Sequence, residues 1–250
     1  MFSQPGAKIT PDHPFFDIIE DAYSAFKGPK PVSTEVCTNC CMDPTIEADF
    51  FNPPIRELPI EYVRDWYFAA YQPPGIAKET WTYLLPRILE ILATGEEVSS
   101  NGFAVSLNRF ETGNRANWTA KRWSVLDRFQ RAFLDREIRR PNDFLDDFVC
   151  MFGLAGWPLE DLIAQIEAAS DEELANRFWN DWCNCIPGRE SIWITAFWES
   201  PGNSTMFDFY TSRRLHDRMA VLSLSDDTEP KLAAKAFAVA SVIEANSSEA

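Results

Sequence analysis

Between Trp81 and Leu92 the apolar residues Trp81, Leu84, Leu85, Ile88, Leu89 and Leu92 recur every three to four positions. A helix turns about 100° per residue, so this spacing lines them along one side of it. A half-buried strand needs strict alternation, which the stretch lacks. The same pattern returns along the chain and predicts packed helices. Phe16, Ile19, Tyr23 and Phe26 form one stripe, and Val63, Trp66, Tyr67 and Ala70 another. Trp123, Leu126, Phe129, Phe133 and Ile138 form a third, with Thr119 placed to cap it. Local chemistry marks other boundaries. Asp12 and Pro14 suit the start of a helix over 14–26, and Asp43-Pro44 that of a short one holding Ile46, Phe50 and Phe51. Asn142 opens a segment through Phe152, and Pro158 one holding Leu162, Ile163 and Ile166. Ser170 with Glu173 reads as a capping box ahead of Leu174, Phe178 and Trp182. Pro86 lies inside the first stripe and predicts a kink or a break there.

One region resists the helical reading. Ile192-Trp193-Ile194-Thr195-Ala196-Phe197-Trp198 is rich in β-branched and aromatic residues, and Met206-Phe207-Asp208-Phe209-Tyr210-Thr211 alternates. With the turn cluster Ser200-Pro201-Gly202-Asn203-Ser204 between them, a β-hairpin near 192–211 and two short helices are both open. Further helices are expected near 213–222 and 230–245. The expected fold class is mainly α: one irregular multi-helix domain over 1–250, with a small β-hairpin near 192–211 as its one exception. Residues 1–31 are its N-terminal helix and linker, and 246–250 a disordered tail. The apolar clusters around Ile88, Phe133, Ile163 and Val221 are unevenly spaced, which argues against a regular solenoid.

Charge narrows the partners. The formal net charge is −15, from 38 acidic and 23 basic residues. Phosphate backbones require a basic surface, so nucleic acid is not an expected partner. A protein partner with a basic surface is. The start Met1-Phe2-Ser3-Gln4-Pro5-Gly6 lacks a basic segment followed by an apolar run, and no segment reaches 18 uninterrupted apolar residues. These features predict a cytoplasmic location, no membrane span, and no glycosylation at the sequons of Asn117, Asn203 and Asn246.

In a reducing compartment the six cysteines are free thiols, metal ligands or redox groups before they are disulfides. Three fall together in Cys37-Thr38-Asn39-Cys40-Cys41-Met42. The Cys37-x-x-Cys40 spacing lets two thiolates reach one zinc ion, and Cys183-x-Cys185 supplies a second pair. The candidate metal site is therefore Cys37, Cys40, Cys183 and Cys185, with Cys41 as a substitute ligand and zinc as the cofactor. A redox reading is also open, because a helix N-terminus lowers thiol pKa. The helix signal at Asp43-Pro44 begins after Cys41, however, and acidic Glu35 and Asp43 flank the motif. A third reading treats the cysteines as packing groups, as expected of Cys150 between Val149 and Met151.

Little else suggests catalysis. His13 stands at a helix start, and His216 sits among Arg213, Arg214 and Arg218, which suits a solvated face. Asp146-Asp147 and Glu160-Asp161 are paired carboxylates, but they fall in expected first helical turns, where acids favour the helix dipole. A basic island over 115–140 precedes an acid-rich stretch over 143–181, a pairing that predicts ion pairs across a helix seam or separate solvated faces.

Cys-Thr-Asn-Cys-Cys-Met at 37–42, Pro54-Ile55-Arg56-Glu57-Leu58 and Leu85-Pro86-Arg87-Ile88-Leu89-Glu90 together resemble a bacterial family of uncharacterised helical proteins with a C-T-x-C-C-M motif. The resemblance spans roughly residues 35 to 170. It implies a helical fold and no catalytic residue or cofactor. The first functional expectation is a non-enzymatic acidic module that binds a cytoplasmic protein, immunity- or antitoxin-like if that partner is a basic toxin. A structural zinc protein is the second, and a thiol redox enzyme the third.

Overall fold

The structure, a computed structural model, describes residues 6–36, 41–70, 76–140, 142–184 and 190–247. Among them are helices α1 (Phe16–Ala25), α2 (Pro44–Asp49), α3 (Ile60–Ala69), α4 (Lys78–Ala93), α5 (Ala120–Arg139) and α6 (Leu145–Leu154). They are followed by α7 (Leu159–Glu167), α8 (Asp171–Phe178), α9 (Gly202–Tyr210), α10 (Arg213–Leu224) and α11 (Pro230–Ser247). No strand occurs among the described residues, so the chain is a multi-helix protein. It divides into two compact units. The first comprises Met1–Ala132 with Leu154–Gly156, the second Phe133–Gly153 with Trp157–Ala250.

In the first unit α4 is the axis. Every residue from Thr80 to Ala93 is buried, including Arg87 and Glu90. A buried charge is tolerated only when paired and hydrogen-bonded. Arg87 meets that condition by donating from Nε to the Leu58 carbonyl at 2.9 Å, and from Nη1 and Nη2 to the carbonyls of Ala7 and Gly6. Its Nη1 also pairs with Glu90 Oε2 at 2.7 Å, and Tyr23 Oη donates to the same oxygen. Arg87 thus ties α4 to loop carbonyls that no helix satisfies. The expected break at Pro86 does not occur: α4 runs through it. One missing amide donor is outweighed by packing on all sides of this helix. Trp81 of α4 packs against Trp66, and Trp66 against Phe50, with ring centroids 6.4 Å apart in both pairs.

In the second unit Arg177 and Asp181 play the equivalent part. The Arg177 side chain is buried and gathers the carbonyls of Glu137, Arg140 and Asp143, while its Nε lies 3.0 Å from Asp181 Oδ2. Asp181 in turn accepts the Leu145 amide at 2.9 Å and so caps the start of α6. The capping box of Ser170 and Glu173 is formed at α8. Beyond Phe178 the helix continues as a π-helical turn over Trp179–Cys183.

The expected hairpin near 192–211 is replaced by an extended strap followed by a helix. Residues 190–195 lack regular structure, and Gly202–Tyr210 is α9. Two features of the fold explain the correction. The strap amide of Thr195 is bound by a side chain, the Asp146 carboxylate, rather than by a partner strand. In 206–211 the buried residues are Met206, Phe209 and Tyr210, a helical i, i+3, i+4 set hidden inside an apparent alternation. Of the expected tail over 246–250, residues 248–250 lie outside the described residues. Asn246 and Ser247 belong to α11, and the Ser247 hydroxyl donates to the Thr211 carbonyl at 3.0 Å.

Candidate functional site

Two features of the second unit stand apart from ordinary packing: a solvent-facing apolar strip on α10, and a carboxyl group buried under the strap.

The strip follows from how the last two helices are set. Ser212 caps α10 by accepting the Leu215 amide, and Glu229 accepts the Leu232 amide at the head of α11, where Pro230 fits the first turn. α10 and α11 pack together, with Leu215 and Met219 buried on one and Ala236, Val239, Ala240 and Ile243 on the other. Stepping 100° per residue from Leu215 and Met219 puts Asp217, Val221 and Leu224 on the opposite side. Val221 is 68% exposed and Leu224 83%. Asp226, Asp227 and Glu229 follow at once, all exposed, and among the described residues no cation pairs with them. Two aliphatic side chains therefore stand beside a turn of uncompensated negative charge. On the strap, Trp193 stacks on Phe144 at 4.1 Å and is only partly covered, and Phe197 is exposed.

Asp146 is the buried group. Its Oδ2 accepts the Thr195 amide at 2.7 Å and the Trp198 indole N–H at 3.0 Å, and its Oδ1 accepts the Tyr210 hydroxyl at 3.0 Å. One carboxyl thus joins α6, the strap and α9. Burial pushes its pKa up to about 7, because the three donors only partly replace lost water. Burial also raises the neighbouring Asp147 and holds the Cys150 thiol and the Tyr210 hydroxyl well above their ordinary values. The Trp198 indole lies against two glycines: a Cβ on Gly153 or Gly202 would sit 2.7 Å from it. In the sequence Asp146 reads as one of a carboxylate pair in a first helical turn. The stronger signal was its helical face, shared with Val149, Cys150 and Gly153.

Cys37, Cys40 and Cys185 lie outside the described residues, so the four-thiol zinc set rests on sequence spacing. Cys41 and Cys183 are both half-buried, Cys183 at the end of the π-helical turn. Cys150 is fully buried in α6, a thiol whose raised pKa keeps it protonated and unreactive. Among the described residues no three His, Cys, Asp or Glu side chains are grouped so as to hold a metal ion. His13 Nδ1 accepts the Phe15 amide at the start of α1, and His216 Nδ1 lies 3.2 Å from Asp217 on the partly solvated side of α10. Charges of the basic island and acidic stretch meet within the second unit, as in Arg139 with Glu173 at 2.7 Å. No helix among the described residues is long and apolar enough to cross a membrane. No protein-family model matches the chain, and neither a curated protein nor a solved structure does so.

Proposed function

We propose that this protein is a non-enzymatic binding module that docks a basic protein segment on the outer side of α10 and the acidic turn behind it. The observation that carries this reading is the exposure of Val221 and Leu224 beside Asp226, Asp227 and Glu229. Covering an aliphatic side chain of this size contributes about 1.5–3 kcal/mol, so the pair forms a compact energetic centre. The uncompensated acids and the net charge of −15 steer and select a cationic partner. The complementary segment is an amphipathic helix with an apolar stripe and a lysine- or arginine-rich flank. A cytoplasmic setting and an immunity- or antitoxin-like role against a basic toxin are consistent with that chemistry.

A synthetic lysine-rich amphipathic helix, titrated by calorimetry, tests the reading. Binding should weaken as salt rises, fall about tenfold or more in Leu224→Ser, and lose part of its salt dependence in the double variant Asp226→Asn, Asp227→Asn. All three positions are exposed, so folding is expected to be unchanged within about 0.5 kcal/mol. Equal binding by wild type and Leu224→Ser would refute the reading.

A further inference from the structure

The second unit contains a recess of about 660 Å³ that the docking surface does not use. Its walls come from Ile138 and Arg139 at the end of α5, from Asn176 on α8, from Trp179 on the π-helical turn and from Lys235 on α11. The volume falls in the range of organic-ligand sites, roughly 300–1,000 Å³, and far exceeds what a bare ion fills. π-Helical turns recur at functional sites because they re-aim side chains, and here the turn presents Trp179 to the recess.

Lys235 gives the recess its chemistry. Its Nζ donates to Asn176 Oδ1 at 2.6 Å and lies 4.7 Å from the centroid of the Trp179 ring. These contacts hold the ammonium in place without neutralising it. Among the described residues no carboxylate pairs with it, although the chain carries 38 acids against 23 bases. An ammonium has three donors, and one is used. Arg139, which also lines the recess, spends Nε on Glu173 and Nη1 on the Asp135 carbonyl, and its Nη2 carries no bond to a described residue. Glu173 is itself occupied, by Arg139 and by the capping box with Ser170, and these contacts lower its pKa. Glu172 is exposed at the recess and disfavours a ligand of high negative charge.

We propose that this recess binds a small organic carboxylate, a monoanion whose carboxyl group meets Lys235 and whose apolar body lies along Trp179 and Ile138. The site is independent of the α10 surface.

Benzoate is the probe, titrated into the full-length protein while the Asn176 side-chain amide and the Trp179 indole N–H are followed by NMR. Both signals should shift saturably, and Lys235→Gln should weaken binding roughly tenfold or more. Arg214→Gln, which removes a cation paired with Glu167 outside the recess, should leave binding unchanged. Thermal unfolding of each variant confirms that it is folded. Three results would overturn the proposal: no saturable shift of either signal, equal benzoate affinity in Lys235→Gln, or equal weakening by Arg214→Gln. Displacement of benzoate by an equal concentration of inorganic phosphate would overturn it too, because the recess would then read charge alone.

Discussion

The buried carboxyl of Asp146 makes a quantitative demand on stability. In the unfolded chain this group titrates near 3.8, and in the folded protein burial lifts it to about 7. The folded state therefore holds the proton more tightly, and the contribution to stability is complete only below the unfolded value. It declines as pH rises above about 4 and is gone once pH passes about 7. At about 1.4 kcal/mol per pKa unit, a rise of about three units corresponds to about 4 kcal/mol in all, with roughly 2 kcal/mol falling between pH 5.5 and 8. Asp146→Asn removes the titration while keeping the shape. Its amide oxygen can accept from the Thr195 amide and the Trp198 indole, and its amide N–H can donate to the Tyr210 hydroxyl. Urea unfolding across this pH window should show the variant slightly less stable than wild type in acid and more stable above neutrality, the difference moving by about 2 kcal/mol. A carbon-detected NMR titration of the Asp146 carboxyl gives the folded value directly. A constant difference between variant and wild type across the window would refute the argument. Asp146→Ala should instead destabilise at every pH, by about 3 kcal/mol or more, since it strands three buried donors.

Gly153→Ala should destabilise by about 1–3 kcal/mol in urea unfolding, because the new Cβ would sit 2.7 Å from a Trp198 ring held by Asp146 and packed against Gly202. A gain in stability, as expected for alanine in an unconstrained helix, would show that the indole does not occupy that slot. In the first unit, Arg87→Met leaves Glu90 buried without its cation and should lower stability by about 3–5 kcal/mol, read from the same experiment; a loss under about 1 kcal/mol would mean that the pair contributes little. Protein purified without chelator should carry about one equivalent of zinc by elemental analysis if Cys37, Cys40, Cys183 and Cys185 form a closed tetrahedral set. Folded, metal-free protein would remove that reading.

The helices were legible because apolar period and end chemistry agreed. Asp43-Pro44, Thr119 and Ser170 with Glu173 all sit at helix starts, and the stripe through Trp81 and Leu92 lies in α4. The strap was not legible, because its conformation is set from outside. Ile192 to Trp198 has the composition of a strand, yet Asp146, some fifty positions earlier, takes the hydrogen bond that a partner strand would have taken. Propensity describes a fit to a half-buried surface and is silent on which group will lie across from the backbone. The recess was hidden for a similar reason. Trp179 and Lys235 are unremarkable alone, one at the end of a helical stripe and the other on an alanine-rich segment, and only the packing of α11 against α8 brings them together.

Buried ionisable groups often mark active sites, and each unit here contains several. What those groups touch argues for a different role. Arg87 binds the carbonyls of Leu58, Ala7 and Gly6; Arg177 binds those of Glu137, Arg140 and Asp143; Asp181 binds the Leu145 amide, and Asp146 the Thr195 amide. Every one of these backbone groups lies in a loop or at a helix end, where the helical ladder is incomplete. Most helices in this chain are short, so such ends are frequent, and water is excluded from many of them. Charged side chains are strong enough to satisfy two or three of these groups at once, which offsets their own desolvation. By this account the buried charges of α4, α6 and α8 hold loops in place, and the exposed side of α10 and the recess at Lys235 are where recognition is to be sought.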